Sequence, residues 1–335
     1  MADGEHVLVC VAWPYANGPL HLGHVAGCYL PPDICARFER ARGNRVLMVS
    51  GSDEHGTPIT VSAEQEGRNP QDIVDEYHSI NTQALLDLGC TWLPNVDQRG
   101  IDYGGSLFNR TSDPRHKVKV QENFQLLYDA GFFERRTMQQ YFEVHPDGGG
   151  RFLPDRYIEG TCPTCGAENA RGDQCDECGA TYESSELNNP VSKMNPELKV
   201  EIRDTEHLFY RLDLFQEALE LHAEKNYAVW KPNVRAMTKQ WLDMGLRPRA
   251  VTRDLEWGID VPLDSDDWGN KCIYVWFEAV QGYLTCSQIW SETFGDSALW
   301  EKWWINDSTQ KQRHYYFLGK DNVPFHTVIW PAIIM

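Results

Sequence analysis

The sequence predicts a doubly wound α/β fold, with a parallel sheet interrupted by an inserted metal-bearing segment. Three observations predict it. Residues 6–13 (HVLVCVAW) form an apolar, valine-rich run that turns through Pro14–Pro19 and enters a helical pattern at His21-Leu22-Gly23-His24. A second apolar run, RVLMVS at 45–50, ends in the polar string SDEHGTP. From about 131 to 251 this strand–helix rhythm lapses and two CxxC pairs appear, after which CIYVWFEAV and HYYFLGK resume it. Alternating strands and helices imply a parallel sheet, and such sheets bind ligands outside the C-terminal ends of their strands.

Taken in order, residues 6–13 read as the first strand and 22–42 as its helix, ended by Gly43. Residues 45–50 read as the second strand. Over 70–88, Ile73, Tyr77, Ile80, Leu85 and Leu88 recur at helical spacing, and Gly89 stops the helix. A short strand is expected near Trp92 and a helix over 113–131. Within the lapse, PDGGGRFLPD is a loop, and 214–225 and 231–245 read as helices. The chain therefore divides into a first half of a nucleotide-binding domain (1–130), a connective insertion (131–251) and a second half (252–335).

Composition narrows the class. With 41% hydrophobic residues and 12% aromatic, the 335-residue chain can bury a sizeable core. No apolar run is long enough to span a bilayer, and the N-terminus lacks a basic-then-apolar leader, so a cytoplasmic protein without a membrane partner is expected. The net charge is −18, from 49 acidic and 31 basic residues. The acids are spread along the chain, as a surface adapted to high salt would have them, where repulsion from phosphate is screened within about 3 Å at 1 M; a chain that does not bind nucleic acid is the other reading of the same charge.

Ten cysteines point to metal rather than to disulfides. Cys162-x2-Cys165 and Cys175-x2-Cys178 are each followed by glycine, Gly166 and Gly179. Two such turns close a four-thiolate zinc knuckle over 158–183. Four protein ligands leave no position for a metal-bound water, so this zinc is structural. The other six cysteines (Cys10, Cys28, Cys35, Cys90, Cys272, Cys286) are scattered and read as core.

His21 and His24 stand on one face of a first helical turn, where free N–H groups and the dipole favour an anion. Their imidazoles could hold the oxygens of a transferring phosphoryl group. Gly23 between them leaves room for a flat base.

AWPYANGPLHLGH (12–24) resembles the signature of class I aminoacyl-tRNA synthetases, and its flanks look like the methionyl-tRNA synthetase family. The resemblance extends to residues 52–58, Arg253-Asp254, YVWFEAVQGY (274–283) and FLGKDNVPFH (317–326), in the family's order and over most of the chain. It implies an enzyme that joins L-methionine to tRNA(Met) through a methionyl adenylate made from ATP with Mg²⁺. It casts His21 and His24 as catalytic. Gly23, Asp260, Gly319 and Asp321 would contact ATP. Ala12, Tyr15, Asp53, Arg253, Trp276, Ala279, Tyr283 and His326 would surround methionine, with the Asp53 carboxylate facing its ammonium. Where the family's pocket commonly has proline, this chain has Val280. Some members carry a second knuckle; its place here, NNPVSKMNPE, has no cysteine, so one Zn²⁺ is expected. The composition suggests an archaeal-type, halophilic member. A sister enzyme for leucine, isoleucine, valine or cysteine, or a non-catalytic zinc-bearing RNA-binding module, are the competing readings. Because the chain ends on WPAIIM inside an expected helix, the sequence suggests part of a longer polypeptide, inactive alone and without the anticodon-binding region.

Overall fold

The computed structural model describes residues 4–92, 95–172, 175, 177–178, 180, 182, 184–305 and 311–335. Its central sheet has five strands in the order Gln312–Phe317, His6–Val11, Arg45–Ser52, Gly104–Arg110, Asn95–Val96. The first four are parallel and the last pair antiparallel. Val9 lies in register between Met48 and Tyr315. Every residue of His6–Val11 is buried, because both faces of the sheet are covered.

Alternation along the strands divides the core. Leu8, Cys10, Leu47 and Val49 pack against the helix Gly282–Thr293 through Tyr283, Cys286, Ile289 and Trp290. Val7, Val9, Val11, Val46 and Met48 pack on the other face against Tyr29, Ala36 and Leu85. The chain moves outward from His6–Val11 to Arg45–Ser52 and Gly104–Arg110, then returns to lay Gln312–Phe317 on the opposite side of His6–Val11. The strand order therefore reverses at His6–Val11, and the crevice outside its C-terminal end is the natural ligand position.

Between these halves, the strands Arg249–Ala250, Val200–Tyr210, Phe133–Val144 and Gly150–Phe152 form an antiparallel sheet. Ala170–Arg171, Ile158–Thr161 and Asn188–Ser192 form a smaller one beside the cysteines. The helices Gln216–Asn226 and Pro232–Asp243 share the largest core cluster with Phe124, Phe277 and Val328.

Three elements depart from the sequence reading. The helix expected over 22–42 is Leu22–His24, a π-turn at Val25–Tyr29, then Leu30–Ala41. Pro31 and Pro32 cannot donate backbone hydrogen bonds, and Leu30 N–H bonds one residue further back, to Val25. In the helix Pro70–Asp87, Ile73 and Leu85 are buried, but Ile80 and Leu88 are 42% and 50% exposed. The inward face carries Val74 and Asn81 instead. The strand expected near Trp92 falls at Asn95–Val96, while Trp92 is buried against Phe108. Of the scattered cysteines, Cys10, Cys90, Cys272 and Cys286 are buried, and Cys28 and Cys35 are half-buried.

Candidate active site and metal centre

Beyond the strand ends, one extra parallel bridge joins Tyr15 to Asp53. Asp53 N–H donates to Pro14 O at 2.7 Å, and Ala16 N–H donates to Asp53 O at 2.8 Å. The following loop is fixed from outside by Asn81, which is fully buried. Its side-chain oxygen accepts from Leu20 N–H at 2.9 Å, and its amide nitrogen donates to Gly18 O at 3.1 Å.

This fixed loop delivers His21 to the helix N-cap. His21 Nδ1 accepts from His24 N–H at 3.3 Å, and His24 Nδ1 accepts from His21 N–H at 3.4 Å. The rings stack at 3.7 Å with an interplanar angle of 17°. Partial burial and the neighbouring His21 lower the His24 pKa. A Cβ at residue 23 would lie 3.0 Å from the His21 ring, so Gly23 is what lets the imidazole settle there.

The expected pocket residues form a linked set. Trp276 Nε1 donates to the Tyr15 hydroxyl at 2.5 Å. The Trp276 ring meets Phe325 edge-on at 4.4 Å and stacks beside Tyr274 at 6.4 Å. Arg253 lies over the Tyr274 ring at 3.9 Å and donates to the backbone oxygens of Ala250 and Thr252. His326 Nδ1 sits 2.8 Å from Asn322 O, an acceptor only, so the proton is on Nδ1. Nε2 then accepts from the Tyr283 hydroxyl at 2.7 Å. Burial lowers the His326 pKa to about 4, which keeps the ring neutral. Ala12 O accepts from the Tyr29 hydroxyl at 3.1 Å. Ala279 is half-buried, four residues before Tyr283.

Asp53 is 4% exposed, and its Oδ1 is buried without a hydrogen-bond partner among the described residues. Burial first, then Glu278, push its pKa well above the usual carboxylate range. The neighbouring carboxylates differ. Glu54 is neutralised by Arg110 at 2.8 Å, and Glu278 by His55 at 2.6 Å. Among the described residues, Asp53 is the one of the three with no cation paired to it.

The residues expected at ATP divide. Gly319 and Asp321 are exposed directly after the strand Gln312–Phe317, which runs parallel to His6–Val11, the strand that precedes the histidine turn. Asp260 instead pairs with Lys117, and its backbone oxygen accepts from Gln121. Its side chain is 66% exposed and turned to the helix Pro114–Asp129, while its backbone forms an antiparallel bridge with Cys272. Sequence reasoning missed Asn81, Glu278 and Phe325. Asn81 carries no motif, its one signal being a polar residue where the helical stripe turns inward. His55 and Glu278 lie inside quoted motifs, but their pairing across 223 residues is visible only in the fold.

The cysteine cluster fits a tetrahedral metal. All four sulfurs lie within 4.8 Å of one another. Cys162 and Cys178 Sγ are 3.9 Å apart, and Cys165 and Cys175 Sγ are 3.7 Å apart. Four Zn–S bonds of about 2.3 Å give tetrahedral edges of about 3.8 Å. The N–H groups of Thr164 and Cys165 point at Cys162 Sγ, as they do toward a thiolate. Gly166, at φ +75°, makes the first turn; Gly179, with 173, 174, 176, 181 and 183 of the expected knuckle, lies outside the described residues. Among the described residues, no helix is long and apolar enough to cross a membrane.

Residues 7–335 match the family described as tRNA synthetases class I (M). Methionine–tRNA ligase of Roseiflexus sp. (strain RS-1) is 47% identical, with the alignment covering 99% of this chain and 54% of that protein. The Thermoplasma volcanium methionine–tRNA ligase is 47% identical, over 99% of this chain and 57% of that one. The chain thus spans about half the length of these relatives. In fold it is similar to Mycobacterium tuberculosis methionyl-tRNA synthetase in complex with methionyl-adenylate, with a TM-score of 0.68, 22% identity and coverage of 99% of this chain and 54% of that one. With its cluster of four cysteines and its histidine turn at the point where the strand order reverses, the chain belongs to the methionyl class I tRNA synthetases.

Proposed function

We propose that this chain carries the methionine-activating site of a methionine–tRNA ligase. The observation that carries the proposal is the linkage of Tyr15, Asp53, Trp276, Tyr283 and His326 around the crevice that the His21–His24 pair borders. Unlike its two neighbouring carboxylates, Asp53 has no paired cation among the described residues and would take the methionine ammonium. The rings of Tyr15, Trp276 and Tyr283 would hold the thioether, since sulfur packs well against aromatic rings. A neutral His326, accepting from Tyr283, presents no charge to that apolar side chain.

The methionine carboxylate is itself the nucleophile. It attacks the α-phosphorus of ATP, forming the acyl-phosphate bond as pyrophosphate departs with the electrons of the broken P–O bond. The ribose hydroxyl at the tRNA 3′ end then attacks the acyl carbon and AMP leaves. No side-chain nucleophile is needed, so positioning and charge stabilisation carry the rate. His21 and His24 would hold phosphate oxygens, and Gly319 and Asp321 would lie against the nucleotide. Asp260 would join them only if the Lys117 pair opened. Mg²⁺ would accompany ATP. Zinc on Cys162, Cys165, Cys175 and Cys178 would cross-link the small sheet and supply no reaction chemistry.

Residues 1–130 and 252–335 would form the two halves of the activating domain, with 131–251 as the connective part. The dispersed acidity fits a cytoplasmic, salt-adapted enzyme. The test is ATP–pyrophosphate exchange with a panel of amino acids, on a polypeptide of the relatives' length. Methionine alone should support it, and His24→Ala should lower the rate far more than methionine affinity. Exchange with leucine or valine and not methionine would reassign the enzyme, and no exchange with any amino acid would leave an RNA-binding module.

A further inference from the structure

A protein of net charge −18 that acts on RNA must present a surface where the polyanion is not repelled. One segment reverses the general balance. Residues 231–249 contain Lys231, Arg235, Lys239, Arg247 and Arg249 against a single acid, Asp243. Lys231, at the N-cap, leads into the helix Pro232–Asp243, and Arg235 and Lys239 follow at four-residue intervals, so the three stand about 6 Å apart along one stripe. Arg247 and Arg249 continue it past the helix end.

Most cations elsewhere in the molecule are committed to acids. Here Lys239 is paired, with Asp243 at 2.7 Å. Lys231, Arg235 and Arg247 are exposed and have no ion-pair partner among the described residues. Arg249 lies over the Trp241 ring at 4.7 Å, an arrangement that presents a flat cationic surface.

The stripe also has the right neighbour. Thr238, three residues after Arg235, donates to the Thr327 hydroxyl at 2.8 Å. Thr327 directly follows His326. Trp230, Trp241 and Leu246 pack in the same core as Phe325, Val328 and Ile329. The basic stripe therefore borders the helical segment that forms one wall of the proposed methionine site. The adjoining helix Gln216–Asn226 carries Glu217, Glu220 and Glu224, which would turn a polyanion away and confine it to the 231–249 side.

We propose that Lys231, Arg235 and Arg247 form the face on which the RNA phosphate backbone rests while its 3′ end reaches the crevice. The inference builds on the function proposed above. Its test is binding of unacylated tRNA across a salt series, on a polypeptide of the relatives' length. The neutral triple variant Lys231→Ser, Arg235→Ser, Arg247→Ser should weaken binding at least tenfold at low salt. It should also reduce the slope of log affinity against log salt by about 2, since each lost phosphate contact removes roughly 0.7–0.9. Methionine-dependent pyrophosphate exchange should be unchanged. The control is Arg68→Ser, Lys199→Ser, Arg203→Ser, three cations already paired to Glu66 and Glu76 or to Glu201, and it should leave the slope intact. An unchanged slope in the first variant, an equal loss in both, or a parent with no salt-dependent tRNA binding would overturn the inference. Absence of pyrophosphate exchange in the parent would instead count against the function itself.

Discussion

Asn81 is joined to Leu20 by a 2.9 Å hydrogen bond that spans 61 residues and sets the entry of the histidine turn. Its amide also donates to Gly18, so both halves of one buried side chain hold the loop that precedes His21. In Asn81→Leu, the Leu20 N–H and the Gly18 carbonyl lose their partner, at a cost of about 1–3 kcal/mol in stability. The histidines should then be less well placed. Adenylation should slow by tenfold or more with methionine affinity nearly constant, as read by pyrophosphate exchange and calorimetry on one preparation. Equal kcat in the variant would reduce Asn81 to a structural residue.

Trp276 offers a different kind of test. Its ring lies between Tyr274 and Phe325, and its N–H is engaged by Tyr15. Trp276→Ala should weaken methionine binding by about 1–3 kcal/mol through lost apolar contact. Trp276→Phe should keep much of that contact while releasing the Tyr15 hydroxyl. Calorimetry that finds wild-type affinity in the alanine variant would make Trp276 part of the core rather than of the pocket.

The parallel sheet was legible because its strands are short apolar runs bounded by Gly, Pro and polar strings. The cysteine knuckle was legible because metal geometry demands a fixed spacing. Helix interiors were less so. Ile80 and Leu88 fit an apolar stripe on the helix Pro70–Asp87, yet tertiary packing rotated the face to bury Asn81. The π-turn at Val25–Tyr29 follows from Pro31 and Pro32, a local effect that periodicity ignores. Motifs singled out Asp53, Tyr283 and His326 as candidates, but not the long-range pairs His55–Glu278 or Thr238–Thr327. Such pairs depend on which helix lands on which strand end, which a local pattern does not encode.

The metal centre should be separable from the sheet. Cys162 and Cys175 belong to a small core with Tyr141, Leu153, Tyr157, Ile158, Ala170 and Leu187. So small a cluster would rely on a bound metal for its stability. Elemental analysis should find about one zinc per chain, as a closed four-thiolate site requires. Chelation should expose the segment from Ile158 to Ser192 to protease, while the strands of the parallel sheet stay protected. Two equivalents of zinc, or none, would contradict this reading of the cysteines.

Buried histidines give the last prediction, for stability against pH. His116 is fully buried, with Nδ1 2.7 Å from the Thr285 hydroxyl, and burial lowers its pKa to about 3. The unfolded chain protonates this residue near its ordinary value, so between the two pKa values the unfolded state holds the extra proton. Stability must then fall as pH drops through that window. His116 should cost about 3 kcal/mol between roughly pH 7 and pH 4. His326, lowered to about 4 by burial, acts in the same direction. His55 runs the other way: burial lowers its pKa, but Glu278 outweighs this and raises it, so its contribution is complete at low pH and lost as pH rises. Asp53, raised by burial and Glu278, also favours the folded state at low pH. The raw profile therefore mixes opposing slopes, and the difference between variant and parent isolates one group. Urea unfolding of His116→Gln should be less pH-dependent than the parent on the acid side, the two curves converging as pH falls. Glu278→Gln should remove the His55 contribution at neutral and lower pH and leave the His116 dependence in place. Parallel curves for parent and His116→Gln from about pH 7 to pH 4 would mean that His116 does not titrate as its burial requires.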